Sequence, residues 1–392
     1  MTVDPSWQTR TLADGSAWVL HPDLLPLLEG EASFPIDRWL ANGQAAVVKQ
    51  GPHRAVWRVE LPGLSFHLKR NNVPNWRAKI RGWLRGPKAK REFDLIRHVA
   101  ERGIATSEPL GWGRFPGRAG ESFLLTRTLS DVQPLHLYFL QTFSLLDRQS
   151  QSHARQTLAR ELGSFIARMH RAGVDHRDLH AGNILVRFEG GKPHLFLIDL
   201  DAVKLTAPLE GERRLQSLAM LNAWFRMHAE RTDRLRFWKA YAAAADFLPW
   251  KRFGHDAISL ANDLEQRSAE YSLALWRSRE RRCLGNNRYY QRVNEPTARG
   301  HAVRGFDFSQ PSDTTEVVQA TSAKAAMNAW KVSQAFRERG LPTPFPLAVV
   351  IYPFGRGAGL LRQRLTNVEL ASRLLVANSP GFEASRERQR PE

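Results

Sequence analysis

Short apolar runs separated by turn residues fill the chain from Ala45: Ala45 to Val47, Ala55 to Val59 and Leu64 to Leu68, with Gly51-Pro52 and Pro62-Gly63 between them. This pattern predicts three antiparallel strands. From Ala89 to Arg102 the period changes, with Phe93, Ile96, Val99 and Ala100 at helical spacing and Gly103 as a stop, so one amphipathic helix is expected. Two more strands follow at Ile104 to Gly113 and Ser122 to Thr126. A long helix spans Ala154 to Ala172, with Leu158, Leu162, Phe165, Ile166 and Met169 on one face. Beyond it, Ile184-Leu185-Val186 and Leu195 to Ile198 flank Glu189-Gly190-Gly191-Lys192-Pro193, the pattern of a hairpin. Helical patterns then run from Leu215, through Leu235 to Phe247, and from Ala257 to Arg277. Residues 1 to about 40 show no period and read as an extension.

From Arg281 short strands return, at Arg288 to Val293 and His301 to Phe306, and an internal repeat follows. Phe336 to Leu347 lies over Val99 to Leu110, each copy placing a Glu-Arg-Gly helix end before a Pro-Leu strand. Leu360 to Val368 echoes Leu124 to Val132. The chemistry-bearing residues therefore have a first copy and a degenerate second one, in which Ala329 falls where Glu92 would lie.

Between the long helix and the hairpin stands His176-Arg177-Asp178-Leu179-His180-Ala181-Gly182-Asn183, and Asp199-Leu200-Asp201 follows the second hairpin strand. Phosphoryl transfer needs an oriented acceptor hydroxyl, a held metal and neutralised charge on the moving group. Asp178 is placed to take or orient the hydroxyl proton, and Asn183 and Asp199 to bind metal. A hairpin of this size can return Asp199 to Asn183. By resemblance to a kinase-like lobe, Lys69 on the third strand stands where a phosphate-contacting lysine is expected, and Glu92 in the first turn of the next helix where its ionic brace is. His176, Arg177, His180 and Asp201 read as supports of the loop. Gly51 is the single glycine of the preceding turn, a poor phosphate loop.

The stretch from His176 to Asn183 resembles the catalytic loop of the protein-kinase-like superfamily. His180 two residues after Asp178, and Asp201 where protein kinases carry glycine, are similar to the bacterial lipopolysaccharide core kinases, the heptose and Kdo kinases. The resemblance covers about residues 45 to 240. It implies an α+β, bilobal protein-kinase-like fold, with an antiparallel-sheet N-lobe, a mostly helical C-lobe and, from the repeat, a partial second N-lobe. It further implies ATP and Mg2+ (or Mn2+) as cofactors, and transfer to a heptose or Kdo hydroxyl of the lipopolysaccharide inner core. Only Val203 to Glu210 separates Asp201 from the next helical pattern, little room for a peptide platform, which favours a small or glycan acceptor.

Composition adds a partner. The chain has 392 residues with 57 Lys plus Arg against 39 Asp plus Glu, a net charge of +18, so an anionic partner is expected. Trp76, Arg77, Lys79, Arg81, Trp83 and Arg85 interleave aromatics with cations and suit an anionic glycolipid or a headgroup surface. Nucleic acid is not the expected partner, and charge says nothing of oligomeric state. Cys283 is the one cysteine, which excludes a disulfide framework and fits a reducing cytoplasm. No signal peptide or run of about 18 uncharged apolar residues is visible, so membrane contact would be peripheral, on the inner membrane. The expected organisation is an extension at 1–40, an N-lobe at 41–136, a C-lobe at 137–280, a degenerate second N-lobe at 281–377 and a disordered tail at 378–392. Two rival readings share these residues: an atypical protein or antibiotic kinase, and a non-catalytic pseudokinase that binds polyanions or membrane.

Overall fold

The computed structural model describes residues 7–51, 54–72, 86–115, 121–245, 257–308, 310–341, 343–353 and 357–364. The basic segment holding Trp76, Arg77, Lys79, Arg81, Trp83 and Arg85, and the expected tail, lie outside the described residues. The chain divides into two compact units, one of Met1–Pro134, Thr157–Ser217 and Arg236–Phe247, the other of Leu135–Gln156, Leu218–Leu235 and Leu248–Glu392. Position 280, the expected end of the C-lobe, is therefore not a boundary between units, and the expected C-lobe segment contributes to both.

The first unit is built on seven antiparallel strands: β1 (Gln8–Thr11), β2 (Ala17–Leu20), β3 (Ala45–Gln50), β4 (Arg54–Leu61), β5 (Leu64–Asn71), β6 (Pro109–Arg114) and β7 (Ser122–Arg127), in the order β1-β2-β6-β7-β5-β4-β3. The three predicted strands after residue 44 form β3, β4 and β5 as a meander. Helix α1 (Ile36–Ala41) precedes β3, and α2 (Lys88–Glu101) lies between β5 and β6 and packs on β6 and β7.

The N-terminal segment is not an extension. Its β1-β2 hairpin pairs with β6, and its aromatics build the core: Trp18 stacks on Phe34 at 4.2 Å, Phe34 meets Trp39 edge-on at 5.4 Å, and Trp39 meets Phe66 at 5.7 Å. Burying such side chains contributes about 2–3 kcal/mol each. Four-residue strands are too short for a legible alternation, and the aromatics come from separate turns. Gly113 faces Trp18 across the β2-β6 register, where a Cβ would come within 2.2 Å of the indole. Only a bare backbone lets the ring lie flat there.

The strands that follow are β8 (Gln133–Pro134), β9 (Val174–His176), β10 (Ile184–Glu189), β11 (Lys192–Leu197) and β12 (Val203–Leu205). The long helix is α3 (Arg148–Arg171), started by Asp147, whose carboxylate accepts from the Gln149 and Ser150 N–H groups at 2.9 Å. It bears the predicted apolar face, and β10 and β11 form the predicted hairpin with Ile184 opposite Leu197. Helices α4 (Gly211–His228), α5 (Arg231–Ala244) and α6 (Ala257–Glu280) complete the helical region. The fold is α+β, with an antiparallel sheet at its N-terminal end and mostly helices from β12 to Glu280, as the sequence implies.

The second unit contains a five-stranded antiparallel sheet of β13 (Tyr290–Glu295), β14 (Ala298–Val303), β15 (Thr315–Ala320), β16 (Pro346–Ile351) and β17 (Ala358–Gln363), ordered β13-β14-β16-β17-β15, with α7 (Ala323–Glu338) packed on it. Its topology is that of β1-β2-β6-β7-β5 with α2, lacking counterparts of β3 and β4. The correspondence reaches single residues. Pro346 pairs with Arg362 as Pro109 pairs with Thr126, and in both sheets the next pair, Ala348-Leu361 or Gly111-Leu125, follows a bulge. In this register Val318 occupies the place of Lys69, opposite Leu360 as Lys69 is opposite Leu124. Val318 and Ala329 both pack against the core formed around Trp330.

Candidate active site

The β10-β11 hairpin assembles the loop that follows β9. Asn183 accepts from the Ile198 N–H at 3.0 Å, so the residue before Asp199 is tied back to the loop. His176 links the same two segments: its Nε2 donates to the Ile198 carbonyl at 3.2 Å while its Nδ1 accepts from the Asp178 N–H at 3.3 Å. Burial holds this imidazole below its usual pKa, consistent with a neutral ring that donates on one side and accepts on the other. Asn183 is buried, and its Nδ2 donates to the Asp178 carbonyl at 2.8 Å, which leaves its Oδ1 as the free acceptor of the amide. Asp199 adopts the left-handed conformation, φ 54° and ψ 52°, which Asp tolerates better than most residues.

Asp178 itself is exposed, and His180 stands beside it with Nε2 at 3.8 Å from Oδ2. The His180 Nδ1 accepts from the Gly182 N–H at 3.0 Å and caps the turn that carries Asn183. Arg177 donates its backbone N–H to the Ala202 carbonyl at 2.9 Å, while its exposed side chain approaches Asp175 at 3.5 Å. His176 and His180 thus hydrogen-bond within the loop through their rings, and Arg177 ties it to Ala202 through its backbone N–H.

Asp175 went unnoticed in the sequence. It is buried at 2% exposure, and Arg213 in the first turns of α4 forks onto its carboxylate at 2.9 and 3.0 Å. His170 lies in the last turn of α3. It is fully buried between the Tyr241 hydroxyl and the Ser217 hydroxyl, each at 2.9 Å, and burial with the Arg214 charge holds it neutral, its pKa down at about 3.

A second cluster surrounds Lys69. Its Nζ donates to Glu92 Oε2 at 2.7 Å and lies 3.5 Å from Asp201 Oδ2. Lys88, at the start of α2, donates to Asp201 Oδ2 at 3.1 Å and pairs with Glu92 Oε1 at 3.2 Å. Burial raises the Glu92 carboxyl despite Lys69, and the neighbouring Asp201 adds to the rise. Asp201 would also be raised by burial, but its bond with Glu92 and the charges of Lys69 and Lys88 bring it down to about 2. The strand lysine, the helix glutamate and the Asp199-Leu200-Asp201 turn are thereby joined. Asp201, expected as a support of the catalytic loop, instead bridges two lysines. Lys88 was hidden in a basic run, although its four-residue spacing from Glu92 on a helix is a readable signal.

Comparison with known proteins follows the same residues. Residues 48–241 match the Lipopolysaccharide kinase (Kdo/WaaP) family. The 3-deoxy-D-manno-octulosonic acid kinase of Vibrio vulnificus (strain YJ016) is 28% identical over 201 residues, covering 50% of this chain and 76% of that protein. The lipopolysaccharide core heptose(I) kinase WaaP of Pseudomonas aeruginosa is 26% identical over 212 residues, covering 50% and 77%. Among solved structures, WaaP in complex with acyl carrier protein aligns with a TM-score of 0.47 at 23% identity, over 64% of this chain and 98% of that one.

Proposed function

We propose that the chain, whose residues 48–241 match the Lipopolysaccharide kinase (Kdo/WaaP) family, transfers the γ-phosphoryl group of ATP to a heptose or Kdo hydroxyl of the lipopolysaccharide inner core. The observation that carries this reading is the Lys69–Glu92 pair held 3.5 Å from Asp201, which ties a phosphate-binding lysine to the metal-binding turn. Lys69 contacts the nucleotide phosphates and Glu92 orients it. Asn183 Oδ1 and Asp199 offer hard oxygen donors that fit Mg2+ or Mn2+. Asn183 and Asp199 would hold such a cation at the end of the β10-β11 hairpin. When bound, the cation neutralises charge on the phosphates.

Asp178, exposed near the start of the loop, accepts the proton of the sugar hydroxyl. The hydroxyl oxygen bonds to the γ-phosphorus as the bond to the β-bridging oxygen breaks, and ADP leaves. His180 stands beside Asp178, with Nε2 3.8 Å from the carboxylate. Five residues separate β12 from α4, which supports a glycan over a peptide acceptor. No described helix is long and apolar enough to cross a membrane; the net charge of +18 supports peripheral contact with an anionic glycolipid surface. The second sheet supports a further part of this reading, a duplicated N-lobe without phosphotransfer chemistry, because Val318 and Ala329 replace the ion pair.

The test is Mg2+-dependent ATP consumption by wild type and Asp199→Ala, with and without dephosphorylated lipopolysaccharide core. Glycolipid-stimulated turnover lost in the variant is expected. Turnover stimulated only by peptide or antibiotic acceptors would overturn the acceptor, and polyanion binding with no turnover in either protein would overturn catalysis.

A further inference from the structure

Lys88 is in an unfavourable place for a cation. It occupies the first turn of α2, where the helix already presents partial positive charge, with no acidic residue in that turn and Pro87 as a cap without a side-chain bond. Two carboxylates hold it there, Asp201 at 3.1 Å and Glu92 at 3.2 Å. The reason for the arrangement lies in Asp201. Its carboxylate stands 3.5 Å from Lys69 Nζ, the group assigned to the nucleotide phosphates. Left alone, a carboxylate there would compete for Lys69 and repel the triphosphate. With Lys88 the cluster sets two lysines against the two acids, Glu92 and Asp201. Without Lys88, Lys69 alone faces both acids where polyphosphate must enter.

We propose that Lys88 is a positioning residue for nucleotide binding: by engaging Asp201 and Glu92 from the helix side, it shields the phosphate site from the Asp201 carboxylate and leaves Lys69 available. This rests on the phosphotransferase reading. It goes beyond that reading because Lys88, on α2 and outside the loop and turn that carry the proposed chemistry, acts through Asp201. The two lysines are not equivalent. Lys69 reaches across from a strand, whereas Lys88 holds the acids from behind and need not touch a phosphate.

The experiment is a double-mutant cycle on the affinity for Mg2+-ATP, read by calorimetry on the full chain without acceptor. Lys88→Met is expected to weaken binding about tenfold in the Asp201 background and by less than about twofold in the Asp201→Asn background. Lys88→Arg should retain binding within about threefold, since the charge remains. In steady state, the Lys88→Met loss should fall mainly on KM for ATP rather than on kcat. An equal loss in both Asp201 backgrounds, or none in either, with thermal unfolding unchanged, would overturn the shielding role while wild-type binding kept the phosphotransferase reading intact. Absence of nucleotide binding in wild type would overturn both.

Discussion

Lys69 Nζ and Glu92 Oε2 meet at 2.7 Å although they are 23 positions apart, one on the interior strand β5 and the other on the buried side of α2. The pair joins a sheet to a helix and points a cation at the turn carrying Asp199. Lys69→Met should therefore lower kcat/KM by about 100- to 1,000-fold, the usual size of losing a charge aimed at a phosphoryl group. Circular dichroism and thermal unfolding should change little by comparison, and a variant with near wild-type kcat/KM would remove Lys69 from the site.

Asp178 is exposed, and its backbone, not its carboxylate, carries the loop's hydrogen bonds to His176 and Asn183. Asp178→Ala should consequently leave the loop folded and nucleotide affinity within about threefold, while phosphoryl transfer falls by at least about 100-fold. Single-turnover transfer and nucleotide calorimetry on the same preparation separate the two effects. Full transfer activity in this variant would exclude Asp178 as the base or hydroxyl-orienting group.

His170 gives the first unit an acid-sensitive point. Its folded pKa, about 3, lies below its ordinary 6.5 because the ring is buried between two neutral hydroxyls near Arg214. Between those values the unfolded chain binds a proton that the folded one does not, so stability is complete above pH 6.5 and falls as pH drops. At pH 5 the loss from this group is about 2 kcal/mol. Urea unfolding at pH 7.5 and pH 5 should show that slope, and His170→Asn should flatten it; an unchanged slope would place the acid sensitivity elsewhere.

The second sheet can be tested by restoring what it lacks. Val318→Lys alone should cost about 2–4 kcal/mol, because a cation is inserted against an apolar core. If Val318 and Ala329 stand where Lys69 and Glu92 stand in the first sheet, adding Ala329→Glu should recover about 1–3 kcal/mol of that loss. Strict additivity of the two substitutions would show that the registers are not equivalent.

The sequence by itself determined the elements whose signals are local. Offsets within His176 to Asn183 and the hairpin length placed Asp178, Asn183 and Asp199 in one neighbourhood, because a short hairpin leaves the chain few ways to return. Lys69 and Glu92 were legible for a similar reason, a strand position and a helix position fixed by period. The Glu-Arg-Gly repeat was also visible in the sequence, since helix ends and strand starts are written in neighbouring residues. Tertiary structure decided what depends on distant partners. The N-terminal segment became part of the core only because Trp18, Phe34 and Trp39 meet Phe66 across strands whose pairing no local pattern encodes. The Asp175–Arg213 fork and the enclosure of His170 likewise join residues from separate helices and strands. The position of Asp201 two residues after Asp199 suggests a loop support; in the fold, past the left-handed turn at Asp199, it approaches Lys69 and Lys88. A residue's local spacing limits where it can point, but which charges it meets is set by how sheet and helix pack.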